Sequence, residues 1–334
     1  MDSQQLKCRK TINLNRNPFA SPTEEAIGAD FVGRKSVLKI MHEYIICADK
    51  ISNYHIIGLP RIGKSSLLKA FKEMVQVNHY SHDIIVFYIS LDKCNNSNDM
   101  WRIIGKGIRK ELKKQFHFSK KYANFIEELE FEDVDENKID YEYVCSVARS
   151  MKLTGFCGLI LIDEFDNFST IATKGTVGQF RTLFSGSEYG IRAVVASRRM
   201  IERIEKEVEG ALNSNVSILA PTFINGYKLK AFNEDDMKDY WASIDNKIGG
   251  IVSNKYKEEV NYYVGTHPCL LNLLNGSYWV EQEVKEYIYD DDANLRLSEE
   301  LINKLHDSFN WAVWRDMEKW QLLRSLILST WGPD

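Results

Sequence analysis

The sequence predicts a doubly wound α/β sheet of five parallel strands followed by an all-helical region. Three observations carry this. Short β-branched runs alternate with longer amphipathic stretches, a pattern that builds parallel sheets. Several runs are apolar throughout, as strands covered on both faces are. After residue 231 the strand-like runs stop and only helix-like segments follow.

The strand-like runs are YHIIG (54–58), DIIVFYIS (83–90), GLILID (158–163), IRAVVAS (191–197) and GYKLK (226–230), with helix-like stretches at 64–76, 97–116 and 176–186. The helical region opens on FNEDDMKDYWASI, where Asn233 reads as an N-cap and Asp236, three residues on, completes a variant capping box. The expected organisation is an N-terminal segment 1–34, an α/β core 35–231, a helical domain 232–300 and a closing segment 301–334. There is no internal repeat and no low-complexity tract.

The 334-residue chain is 44% hydrophobic and 27% charged, an ordinary globular composition with room for about two domains. No apolar run approaches the roughly 20 residues a membrane-spanning helix needs, and the N-terminus carries no apolar signal region. The six cysteines (Cys8, Cys47, Cys94, Cys145, Cys157, Cys269) are scattered without a CxxC pair. Free thiols in a reducing, cytosolic compartment are expected, with no disulfide framework and no zinc site. A net charge of −4 makes the whole molecule no match for nucleic acid. Residues 106–121 depart from this, with seven Lys or Arg and one Glu, and the acidic stretch 127–136 follows closely. The basic stretch reads as a solvated surface or, alternatively, as a contact for nucleic acid or an acidic partner.

The chemistry starts at GLPRIGKS. It matches G-x-x-x-x-G-K-[ST] as Gly58, Gly63, Lys64 and Ser65, with a strand before it and a helix after it, the context this loop requires. Pro60, Arg61 and Ile62 lie between the glycines, which let the loop's backbone N–H groups turn toward phosphate oxygens without a Cβ in the way. Lys64 can reach the β- and γ-phosphates and Ser65 can ligate Mg²⁺, with Ser66 beside it. The helix starting near Lys64 aims its positive N-terminal dipole at the anion. The alternative is a plain glycine turn.

GLILIDEFDNF supplies the second half, a buried strand ending in Asp163 and Glu164 about 100 residues later. A carboxylate at the carboxyl end of a neighbouring strand can hold the Mg²⁺ shell, the role expected of Asp163. Glu164 can orient and deprotonate a water for attack on the γ-phosphate. Asp166 reads either as a further site residue or as a helix cap. A GTPase would need DxxG and then NKxD. NKID at 137–140 precedes the Asp163 strand in an acidic, loop-like region and is a false match.

The chain resembles the ATPase core of the STAND proteins, P-loop (ASCE) ATPases related to AAA+ and origin-recognition ATPases. NPF (Asn17, Pro18, Phe19), FVGR (Phe31, Val32, Gly33, Arg34), GLPRIGKSS, LILIDEFDNF, AVVASRR and GTHPCLL (265–271) occur in family order over residues 17 to about 275. The resemblance implies ATP or ADP as ligand with Mg²⁺, and a wall for adenine at Phe31–Arg34 with the Val32–Gly33 backbone reading its edge. A core-packing turn is the alternative there. It implies that Arg198 touches the γ-phosphate, against a surface pair with Arg199. Pro268 would pack on base or ribose from a helical lid, besides initiating a helix. Arg181 is a weaker candidate for reaching a neighbour's nucleotide. The implied function is a slow, regulatory ATPase switch, its lid position and homo-oligomerisation set by nucleotide, in microbial and anti-phage defence. Residues 301–334 resemble the approach to a winged helix, and an effector or sensor partner is expected to supply input and output. A loader or remodeller acting on DNA is the second expectation, with residues 106–121 as its contact.

Overall fold

The computed structural model describes residues 17–19, 21, 24–46, 52–78, 84–116, 138–213 and 219–280. The expected segments 1–16, 127–136 and 281–334, with the winged-helix resemblance, lie outside them. The chain divides into two compact units. The sheet unit holds Ser36–Gly58 and Lys64–Leu229. The helical unit holds the residues up to Lys35, the loop Leu59–Gly63 and the residues from Lys230.

The sheet has five parallel strands: β1 (Tyr54–Gly58), β2 (Ile84–Ser90), β3 (Cys157–Asp163), β4 (Ile191–Ser197) and β5 (Gly226–Leu229), in the order β2-β3-β4-β1-β5. Asp163's strand was expected to neighbour the strand of the glycine loop. Instead β4 lies between them. Periodicity states how a strand is buried and says nothing of which strand it pairs with. In β3 every residue from Gly158 to Asp163 is buried, whereas Gly226 to Lys228 of the edge strand β5 are open to solvent in part or whole. Charge on a short edge strand is a usual guard against further pairing.

Crossover helices cover the sheet, among them Lys64–Asn78, Ser97–Phe116 and Lys174–Ser185, close to the expected bounds. A further helix, Tyr141–Leu153, begins directly after the loop-like 137–140 stretch. Its N-cap is Asp140, whose side chain accepts from the Tyr143 N–H at 2.9 Å. That gives the last residue of the false NKID match a structural role. The sheet core includes a cluster of phenylalanines, with Phe165 and Phe168 stacked at 5.0 Å and Phe180 and Phe184 tilted at 4.5 Å.

In the helical unit the helices from residue 230 on, among the described residues, are Glu234–Ile248, Asn254–Val264 and Pro268–Val280. The first begins as expected: Asn233 accepts from Asp236 N–H at 2.8 Å while Asp236 accepts from Asn233 N–H at 3.2 Å. Its core is closed by a buried polar network. Asn275 donates to Tyr240 Oη at 3.2 Å and accepts from Tyr256 Oη at 2.8 Å, so these three buried groups partner one another and link the three helices.

Asp236 does more than cap. It accepts the Arg34 backbone N–H at 2.5 Å and its carboxylate lies 3.5 Å from the Arg34 guanidinium, both side chains at least nine-tenths buried. Removing one member of a buried pair leaves the other charge unsatisfied, at about 3–5 kcal/mol. Asp236→Ala is therefore expected to lower unfolding stability by that order in urea titrations. A loss below about 1 kcal/mol would contradict the role given to this pair.

Candidate functional site

The glycine loop leaves the sheet at Gly58 and enters the Lys64–Asn78 helix. Between them Arg61 has φ 58° and Gly63 φ 98°, and Ile62 N–H donates to Leu59 O at 3.3 Å. No heavy atom lies within 4 Å of where a Gly63 Cβ would stand, so glycine is required there by backbone conformation and not by crowding. Pro60 is half-buried, Arg61 exposed and Ile62 buried. Lys64 is 7% exposed, and its Nζ donates to the Gly58 carbonyl at 3.0 Å. Burial pushes its ammonium down, opposed by the charges of Glu164, Asp163 and Asp166. Ser65 at the helix start is partly open and Ser66 is buried.

Asp163 ends β3 and is 2% exposed. Tyr88 Oη donates to its Oδ2 at 2.8 Å and the Glu164 N–H to its Oδ1 at 2.9 Å. Two donors fix the carboxylate and leave lone pairs for a hard cation. The donor set of the Ser65 hydroxyl and the Asp163 carboxylate suits Mg²⁺, which takes one or two protein oxygens and completes its shell with phosphate and water. Glu164 sits in the left-handed region at φ 49°, a conformation that costs a non-glycine residue energy and marks a constrained turn. Burial, then the charge of Asp163, pushes its carboxyl up, against the pull of Arg198 and Lys64.

The arginine pair divides its labour. Arg199 is held by Asp166, with Nε 2.8 Å from Oδ1, and pairs also with Glu207. Arg198 has its N–H on Asp166 Oδ2 at 2.6 Å, while its side chain is 50% exposed and lies 3.9 Å from Glu164. Asp166 is thus neither a helix cap nor an open site residue: at 1% exposed it clamps the turn that carries both arginines. Arg181 is exposed on the Lys174–Ser185 helix.

In the helical unit, Gly33 has φ 69°, and a Cβ there would meet Asp236 at 3.0 Å, so both backbone conformation and space favour glycine. Arg34 is 4% exposed and donates to Lys230 O at 2.7 Å and Ile62 O at 3.3 Å, with its guanidinium 4.7 Å from the Phe232 ring centre. Its side chain is committed to protein partners, so Arg34 positions the Leu59–Gly63 loop. Phe31 and Val32, just before it, are half-buried. Asn17 donates to Gly276 O at 3.3 Å, and Phe19 packs edge-on to Trp279 at 6.2 Å. Pro268 is the first residue of its helix, and the Thr266 carbonyl ahead of it accepts from Phe232 N–H at 2.9 Å. The Cys269 thiol is pushed up by burial, against a hydrogen bond with Arg61 of the loop.

Two residues that matter here were not found from sequence. Tyr88, which fixes Asp163, sits in a run that reads only as a strand. His55, which reaches Ser197 at 2.7 Å, sits in another. A side chain with a hydrogen-bonding tip inside a largely apolar strand is the signal that could have found them. Among the described residues no helix is long and apolar enough to cross a membrane.

No family model and no curated protein matches the chain. Solved structures do. A Walker-type ATPase of Pyrococcus abyssi aligns at TM-score 0.53 and 11% identity over 86% of this chain and 91% of its own. Drosophila ORC bound to DNA aligns at 0.52 and 12%, over 84% and 67%. The Aeropyrum pernix ORC2 protein, in ADPNP and ADP complexes, aligns at 0.51 and 12%, over 82% and 66%. At these identities the likeness is one of fold, and the fold is that of the P-loop NTPases, a parallel five-stranded sheet flanked by helices.

Proposed function

We propose that the chain binds ATP with Mg²⁺ and hydrolyses it slowly, as a STAND-type switch whose nucleotide state controls its helical lid and its self-assembly. One observation carries the proposal: Lys64, Asp163, Glu164 and Arg198 gather at the carboxyl ends of β1, β3 and β4, close enough for the charges of the other three to act on Lys64. Lys64 and the loop amides hold the phosphates, Ser65 and Asp163 the metal, and Glu164 takes a proton from the attacking water. Arg198 meets the γ-phosphate through charge-assisted hydrogen bonds that ADP cannot offer. The Leu59–Gly63 loop groups with the helical unit while Gly58 and Lys64 group with the sheet, so phosphate occupancy has a covalent route to both. The resemblance alone supports a role in microbial defence with an effector or sensor partner.

Action on DNA is the second reading. Lys110, Lys113 and Lys114 stand exposed on the Ser97–Phe116 helix, and ORC of similar fold is bound to DNA in its own structure. Lys114 and Lys72 both pair with Glu111 at 3.0 Å, which reduces the charge available.

The test is phosphate release from ATP with and without Mg²⁺, in the presence and absence of duplex DNA. Mg²⁺-dependent release indifferent to DNA supports the switch, and release only with DNA supports the second reading. No release under either condition, with ATP bound, would overturn the enzyme assignment. Arg198→Ala is expected to keep ADP affinity and lose about tenfold in ATP affinity, as one charge-assisted contact disappears. Equal affinities in parent and variant would remove Arg198 from the site.

A further inference from the structure

The turn that carries Arg198 is held by more than Asp166. β4 ends at Ser197, which is fully buried, and its Oγ donates to the Arg199 carbonyl at 2.5 Å. A serine hydroxyl has one proton, so toward any second partner Ser197 acts as acceptor. That partner is His55 on β1, 8% exposed, with Nε2 2.7 Å from Ser197 Oγ. The proton between them therefore belongs to the imidazole. Burial pushes His55 down to about 4, which keeps the ring neutral near pH 7, in its Nε2–H tautomer. Arg199 is then fixed at both its backbone groups, its N–H on Asp166 at 3.2 Å and its carbonyl on Ser197. Arg198 lies between these restraints.

The strands do not need this link to stay together. β1 and β4 already pair through their backbones, His55 with Val195 and Ile57 with Ser197. An aliphatic residue would fill position 55 without the desolvation that a polar ring incurs. What the imidazole adds is the direction of the Ser197 hydroxyl, and with it the path of the chain through Arg198. The same strand, three residues later, ends in Gly58 and the phosphate loop.

We propose that His55 is a positioning residue for nucleotide discrimination: through Ser197 it fixes the turn that aims Arg198 at the terminal phosphate. This rests on the assignment of Arg198 to the γ-phosphate. A role confined to core packing would weaken ATP and ADP alike or affect only stability, whereas the His55–Ser197–Arg199 chain acts on the ligand that has the extra phosphate.

The test is equilibrium titration of the full chain with ATP and with ADP, for the parent and for Arg198→Ala, His55→Leu, His55→Gln and Ser197→Ala. His55→Leu and Ser197→Ala are expected to lower the ATP-to-ADP affinity ratio about fivefold to tenfold, the order of one lost hydrogen-bonded restraint, with ADP affinity kept within about twofold. His55→Gln, whose amide N–H reaches the same hydroxyl, should restore the ratio. The double variant His55→Leu with Ser197→Ala should lose no more than either single one, since both break one chain. A parental ratio in both His55→Leu and Ser197→Ala, while Arg198→Ala loses it, overturns the positioning role. So does an equal loss for both nucleotides. A parental ratio in Arg198→Ala removes the assignment of Arg198 and the inference with it. Ser197→Ala changes no packing volume beyond one hydroxyl, so the comparison survives if His55→Leu does not fold.

Discussion

Lys64→Ala is expected to weaken ATP binding by at least about a hundredfold. In the proposed site the ammonium is the main cation facing the terminal phosphates, and hydrogen bonds to charged groups are worth about 1.5–3 kcal/mol each. Two such bonds, to β- and γ-oxygens, reach or exceed a factor of about a hundred. The position is prepared for this. Lys64 is buried at the first residue of its helix, where the N-terminal dipole also favours an anion, and Glu164 and Asp163 oppose the downward push that burial gives its ammonium. Its Nζ donates to the Gly58 carbonyl at 3.0 Å, a contact that an arriving phosphate can replace. Direct titration of the folded variant measures the effect, and unchanged affinity would remove the phosphate-loop assignment.

Glu164→Gln is expected to bind ATP as the parent does and to lose about 10²–10⁴-fold in hydrolysis, the usual contribution of a positioned general base. An amide cannot accept the proton of the attacking water. The surroundings of Glu164 suit it to this chemistry, since burial and the neighbouring Asp163 push its carboxyl up and make it a better base than an ordinary surface carboxylate. The sign of the pH dependence follows. A base works in its deprotonated form, so the rate falls as pH drops through the Glu164 value, and this limb lies above the usual carboxylate range. Loss of that limb in Glu164→Gln, in a pH series of phosphate release, identifies the residue. A variant hydrolysing at the parental rate would show that the base is elsewhere.

The sequence made the apolar strands legible to the residue in places. Tyr54–Gly58 and Ile191–Ser197 were expected with those bounds, because β-branched runs ended by Gly58 or by the polar Ser197–Arg199 leave little choice. The Asn233–Asp236 box was legible for a similar reason, since both hydrogen bonds are local. Partners distant along the chain were not. Arg34 and Asp236 are 202 residues apart, and no local pattern announces that the arginine of FVGR is bound to the first turn of a helix so far away. Tyr88 and Asp163 are 75 apart and meet because β2 and β3 lie side by side in parallel. The Tyr141–Leu153 helix follows an acidic stretch whose polarity hid its start, although Asp140 caps it in the ordinary way. Asp166 shows the limit within a motif. Proximity to Asp163 and Glu164 suggested chemistry, whereas its contacts to Arg198 and Arg199 give it a structural role.

A switch must also meet an energetic requirement. Moving an equilibrium from about 1:99 to 99:1 takes about 5.5 kcal/mol of differential binding. In the proposed switch the γ-phosphate, a metal that Ser65 and Asp163 would hold, and the Arg198 contact are the terms that would differ between ATP and ADP, and charge-assisted bonds of this kind are the strong ones. Mass photometry of Glu164→Gln, which traps ATP, decides the matter when parallel samples hold ATP and ADP. An assembled species is expected in ATP that is absent in ADP and is lost again when Arg198→Ala is added. The same monomer distribution in both nucleotides, with and without a co-expressed partner, would overturn the switch.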